Sequence, residues 1–161
     1  MMDSAVMEFV KWFIGIIAVA FVTTMVVFLF QLNQVNNFQQ EVNYQIERHG
    51  GLTESALVEL NEVAKASYGG CIVESYEDGA PCFFANDQDD PDMKSSGFFV
   101  QEIERDDNGE ATFIVRDDDD QAAYGTAIEY GMTRQIGSIA GESFLKPAII
   151  GESASRVRGA N

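Results

Sequence analysis

Residues 12–30 read WFIGIIAVAFVTTMVVFLF, and the chain runs on through QLNQVNNFQQEVNYQIERH to the pair Gly50-Gly51. The first of these stretches has 19 residues and no charge. At 1.5 Å of rise per residue a helix of that length covers about 28 Å, close to the ~30 Å hydrocarbon core of a bilayer. Thr23 and Thr24 do not interrupt it, because each hydroxyl can bond back to the preceding turn. A cleaved secretory signal is the rival reading. It has a shorter apolar region and ends in a small-residue cleavage pattern, whereas this run passes directly into Gln31-Leu32-Asn33-Gln34. Beyond residue 30 the apolar positions Leu32, Val35, Phe38 or Gln39, Val42 and Ile46 recur every three or four residues between Asn, Gln and Glu. The pattern predicts one helix from about Ser4 to His49, on the order of 65 Å long, apolar all round in its first half and amphipathic in its second. The two glycines at 50 and 51 end it.

Charge divides the chain at the same place. Of 161 residues, 26 are Asp or Glu and 10 are Lys or Arg, a formal charge of −16. Residues 1–50 carry −2 of this and residues 51–161 carry −14, with 16 acids between Glu74 and Asp120. A surface of that sign repels phosphate, so nucleic acid is excluded as a partner. One His and two Cys exclude a His/Cys zinc cluster, a c-type haem motif and a four-Cys iron–sulfur site. The domain reading is therefore a transmembrane and filament-core helix over 1–50, followed by an acidic head over 51–161.

Within the head, Thr53 reads as the N-cap of a short second helix, with Glu54 in its first turn and Leu52 stapled onto Leu57. Ala56, Leu57, Leu60, Val63 and Ala64 make its apolar face, and Gly69-Gly70 close it after Tyr68. Strand patterns follow. Residues 71–76 and 82–84 flank a turn-rich loop centred on Asp78-Gly79. Residues 97–104 and 111–116 flank Asn108-Gly109, the strongest hairpin signal in the chain. Residues 122–132 and 146–150 are further candidates. Long helix, short helix and an antiparallel sheet of four or five strands make an α+β fold.

Chemistry-bearing motifs are sparse. Asp87, Asp89, Asp90 and Asp92 share one loop, and residues 117–120 are four consecutive aspartates. Both read as solvated acidic surface, with weak Ca²⁺ coordination by the four loop aspartates as the alternative. An EF-hand is excluded, because Pro91 takes its fifth position and no Gly follows. Cys71 and Cys82 are either a disulfide, natural if the head is exported to an oxidising compartment, or two buried reduced thiols. A tight turn at Asp78-Gly79 would set Cys82 opposite Ser75, so a bridge to Cys71 needs a wider loop. His49 sits at a helix end, where a cation suits the macrodipole. No nucleophile elbow, Walker A loop or dinucleotide glycine pattern is present. The expectation is a protein without enzymatic activity, cofactor or metal.

Ser4-Ala5-Val6-Met7-Glu8-Phe9, followed by an apolar helix, an amphipathic half and a small β-rich head, resembles the type IV pilin superfamily, closest to the tight-adherence-type pilins and their larger minor relatives. Their mature chains begin on a small residue, with Glu-Tyr or Glu-Phe at the fifth and sixth positions, and a start at Ser4 reproduces that spacing. Asp3 departs from the Gly that the family's prepilin peptidase prefers before the cut. The resemblance implies a noncatalytic subunit, held in the membrane and then assembled with copies of itself into an extracellular filament (a pilus) by a pilus assembly machine. It implies assembly through Glu8, Phe9, Lys11 and Trp12. A buried Glu8 needs a partner, either a neighbouring subunit's N-terminal amine or Lys11 one turn on. Lys11 precedes the span and Arg48 is the first base after it, so positive-inside counting places the acidic head outside the cell membrane. Two other readings stay open: a single-pass accessory component of a secretion or conjugation envelope machine, and a membrane-anchored module that binds cations through its Asp loops.

Overall fold

The computed structural model describes residues 2–75, 77, 80–83, 94–139, 142–145 and 148–158. It contains helices α1 (Met2–His49) and α2 (Glu54–Tyr68), then strands β1 (Phe98–Arg105), β2 (Ala111–Ile114), β3 (Ala127–Arg134), β4 (Ile136–Ile139), β5 (Glu142–Leu145) and β6 (Ala148–Ala154). This is an α+β fold with a long apolar N-terminal helix. The chain forms two compact units, Met1–Asn37 and Phe38–Asn161. The division falls inside α1 rather than at Gly50-Gly51, because Phe38, Val42 and Ile46 on its last turns are fully buried.

In the first unit every residue from 5 to 30 is exposed. The stretch is long and apolar enough to cross a membrane. Thr23 Oγ1 donates to the Val19 carbonyl at 2.8 Å and Thr24 Oγ1 to that of Ala20 at 2.9 Å, so both hydroxyls are satisfied within the helix.

The second unit is organised by a four-stranded sheet, order β2-β1-β3-β6, antiparallel throughout. Side chains alternate between its faces. Phe98, Val100, Tyr130 and Met132 lie on one face and are buried, together with Phe38, Val42, Ile46, Leu57 and Leu60 from the helices. The Phe38 ring stacks on Phe98 at 4.2 Å, and Tyr68 meets Phe98 edge-on at 5.0 Å. Tyr130 lies over Gly151 on β6, where any side chain would occupy the space of its ring. Its hydroxyl donates to Asn43 Oδ1 at 2.7 Å.

Local chemistry sets the boundaries. Gly50, at φ 73°, turns the chain out of α1 while its N–H still bonds Ile46 O at 2.9 Å. Thr53 Oγ1 accepts from Ala56 N at 3.3 Å and caps α2, which ends on the left-handed Gly69. Asp106 Oδ1 accepts from Asn108 N and Glu110 N, tightening the Asn108-Gly109 turn between β1 and β2.

Four strand expectations change. Residues 71–76 and 82–84 do not form strands among the described residues. Only single bridges occur there, Cys71 to Ser95 and Val73 to Cys82. The segment divides its hydrogen bonds among several partners: Cys71 N donates to Lys94 O, Ile72 N to Asn61 Oδ1 on α2, and Val73 N to Phe98 O. The strand expected over 122–132 starts later, at Ala127, because Tyr124-Gly125 form a turn with Gly125 at φ 82°. The strand expected over 146–150 is β6, displaced toward the C-terminus. The β4–β5 pair was not expected. Tyr76, Asp78-Gly79 and Phe84 lie outside the described residues.

Candidate functional site

Glu8, Phe9, Lys11 and Trp12 all stand on the exposed apolar half of α1, Phe9 and Trp12 each at 72% exposure. The Phe9 and Phe13 rings lie one turn apart at 6.5 Å. Among the described residues no ion pair joins Glu8 to Lys11, although they are three apart on one helix. Lys11, Trp12, Gly15, Ile16 and Val19 line a shallow apolar depression along the helix surface. Nothing lies within 4 Å of a Cβ built on Gly15, so a second helix can approach the backbone there. The arrangement offers packing surface and a single carboxylate beside a single amine.

Cys71 and Cys82 are joined as a disulfide, with Cα atoms 5.7 Å apart. The Val73–Cys82 bridge sets the register, which brings Cys82 to the start of the segment rather than opposite Ser75. Asp87, Asp89, Asp90 and Asp92 lie outside the described residues. Among the described residues no group of three or more His, Cys, Asp or Glu side chains could hold a metal ion.

The run 117–120 has work inside the head. Asp118 accepts from Ser55 N at 3.1 Å and Ser55 Oγ at 2.7 Å, in the first turn of α2. These hydrogen bonds hold its carboxyl below the ordinary range. Asp120 takes Arg116 Nη1 through its carbonyl at 3.1 Å and its carboxylate at 3.3 Å. Arg116 also pairs with Glu102 through Nε and Nη2, and Glu102 Oε2 accepts Leu52 N at 3.2 Å. Side-chain exposure is 19% for Arg116 and 4% for Glu102, so the pair is desolvated and each charge needs the other. Hydrogen bonding to Glu102 raises the Arg116 guanidinium further above its usual value. Sequence reasoning missed this pair. The signal was available: Glu102 has the inward parity of Phe98 and Val100, and a charge on a buried face requires a partner.

His49 Nε2 lies 3.5 Å from Glu59 Oε1, and Arg48 pairs with the same carboxylate at 2.9 Å. The end of α1 is therefore tied to α2 by charge. Arg134 lies over the Phe98 ring at 4.7 Å, and burial lowers its guanidinium.

The chain is 43% identical over 72 residues to an uncharacterized protein of Bacillus anthracis. The match covers 45% of this chain and 60% of that relative's length. No protein-family model matches the chain. No solved structure matches it either.

Proposed function

We propose that the chain is a pilin-like structural subunit, anchored through its N-terminal helix and assembled through that helix with copies of itself into a cell-surface filament. The observation that carries this reading is the change of burial along α1. Residues 5–30 are exposed on every face, whereas Phe38, Val42 and Ile46 of the same helix are fully buried in the head. An apolar helix exposed all round needs lipid or other helices around it, and a head tied to its last turns travels with it. The disulfide supports an exported head, because such bonds persist in oxidising compartments. The acidic head, −14 over residues 51–161, stays solvated while the nearly neutral helix associates.

Mechanical shearing of producing cells tests the reading. Sheared surface material is expected to contain SDS-sensitive filaments of this chain, with an N-terminus at Ser4 on sequencing. Recovery only from detergent-extracted membranes overturns the filament and favours a single-pass accessory component of an envelope machine.

A further inference from the structure

The sheet has two open edges. β2 and β6 terminate the order β2-β1-β3-β6, and among the described residues neither has a further strand beside it. β1 runs antiparallel to β2 and to β3, and β3 runs antiparallel to β6. The two edges therefore run opposite to each other. If two copies stand side by side in the same orientation, β6 of one meets β2 of the next as an antiparallel pair.

The side chains match as well. The register puts Phe113 opposite Ile103, and Ile150 opposite Gly131, on the sheet face away from the helices. On that face Phe113 is 43% exposed and Ile150 66%, and Val115, one residue past β2, is 36% exposed. Phe99, Ile103, Phe113 and Ile150 line a depression of about 380 Å³ on that face. Gly131 and Ala148 contribute to its lining with little or no side chain. Natural edge strands are usually protected by Lys, Pro or shortness. β6 has seven residues and neither Lys nor Pro.

The geometry points to a head-to-head contact in which β6 of one copy pairs with β2 of the next, extending one sheet across successive copies. The register that keeps apolar residues on one face sets Ile150 against Phe113 of the next copy and Ala148 against its Val115. Phe113 of the next copy then lies against Ile150, which lines the depression. Each copy keeps one edge free, so the contact does not close on itself and propagates.

The competing arrangement, β6 against β6, needs a two-fold axis perpendicular to the sheet. The packed end of α1 lies lengthwise on the sheet: Phe38 meets Phe98, Asn43 meets Tyr130, and Glu47 meets Arg156 beyond the end of β6. A two-fold there reverses that helix segment between copies. The β6–β2 contact leaves it parallel, as assembly through α1 requires, and in that respect the inference rests on the filament reading.

Cysteine crosslinking of the full chain in producing cells tests it. The native cysteines are already paired, so introduced thiols are the reactive ones. Within one copy β2 and β6 are three strand spacings apart, about 14 Å, too far for a bond. The double variant Ile150→Cys, Phe113→Cys is expected to give a ladder of dimers, trimers and higher species on oxidation or with a short bis-maleimide. Each single variant is expected to give none. Adding Val115→Lys and Ala148→Lys to the double variant is expected to abolish the ladder. A dimer from Ile150→Cys alone overturns the inference in favour of the two-fold arrangement. The absence of a ladder while Val10→Cys still crosslinks through α1 overturns the sheet contact and leaves the filament standing. Failure of both, with no sheared filaments, overturns the two readings together. Ile150 and Phe113 are exposed, and retention of the Cys71–Cys82 bond reports that each variant has folded.

Discussion

Residues 5–30 and residues 38–49 belong to one helix, share one hydrogen-bond ladder, and depend on different surroundings. The first stretch is apolar on every face and buries none of it within the chain. The second has less than half the apolar density and buries Phe38, Val42 and Ile46 completely. Helical hydrogen bonds are local and form in either setting, so propensity does not separate the two. What separates them is the periodicity of the apolar positions. A single stripe finds its cover in a sheet and a second helix, whereas an unbroken apolar cylinder leaves its cover to lipid or to other copies.

Substitutions in the two stretches should therefore have opposite readouts. Phe38→Ala removes a fully buried ring stacked on Phe98 and is expected to cost about 3–5 kcal/mol of head stability. Its membrane extraction should not change. Phe21→Lys, at a position 70% exposed near the middle of the apolar run, should do the reverse. It places a charge at the centre of the span, at about 2.5–3.5 kcal/mol against insertion, and should release the chain under alkaline extraction. The head's denaturant midpoint should stay at the wild-type value. If Phe21→Lys destabilises the head as much as Phe38→Ala does, the distinction between the stretches fails.

The paired change Cys71→Ser, Cys82→Ser acts within the head alone. The bond closes a short loop across a sequence separation of 11, and its loss is expected to cost about 2–3 kcal/mol. Reduction of the wild type should reproduce the shift in unfolding midpoint. Equal midpoints for oxidised and reduced protein would mean that the bond stabilises nothing.

Both halves of α1 were legible in the sequence because each has a period or lacks one over many residues. The β1–β2 hairpin was legible because Asn108-Gly109 stands between alternating runs. Residues 71–76 misled, since Cys-Ile-Val reads as a strand while its N–H groups are taken by Asn61 and by residues 94 and 98. Those partners are 11 or more positions away, and no local pattern encodes them. Glu8, Phe9, Lys11 and Trp12 lie on an exposed helix surface, which agrees with the apolar run around them. The acidic run reads as solvent-facing charge and all four members are exposed, while two of them also hydrogen-bond within the head. Asp118 finds Ser55 across 63 positions, and Asp120 finds Arg116, which is committed to Glu102. Only the inward parity of Glu102 announced that a cation had to come to it.

The smallest expected effect uses acid to separate the two regions. Three carboxylates of the head sit below their ordinary values. Asp118 is lowered by the Ser55 hydroxyl and N–H, Asp106 by the Glu110 N–H first, and Glu129 by its hydrogen bond from Arg105. In the unfolded chain each titrates near pH 4. Their contribution to stability is therefore complete above about pH 5. It declines as acid protonates the unfolded state first, and it is lost as pH falls through the lowered folded values. Asp106 and Asp118 are solvent-exposed and Glu129 is half-buried beside an exposed Arg105, so each contributes little and salt screens it further. The head's unfolding midpoint should hold from pH 6 to about pH 5 and fall from there to pH 3. Asp118→Asn should flatten that slope, because its carboxamide does not titrate. Residues 12–30 contain no ionisable acid or base, and extraction of the chain from membranes should be insensitive over the same range. An unchanged acid slope in Asp118→Asn would mean that the Ser55 contact does not hold the start of α2.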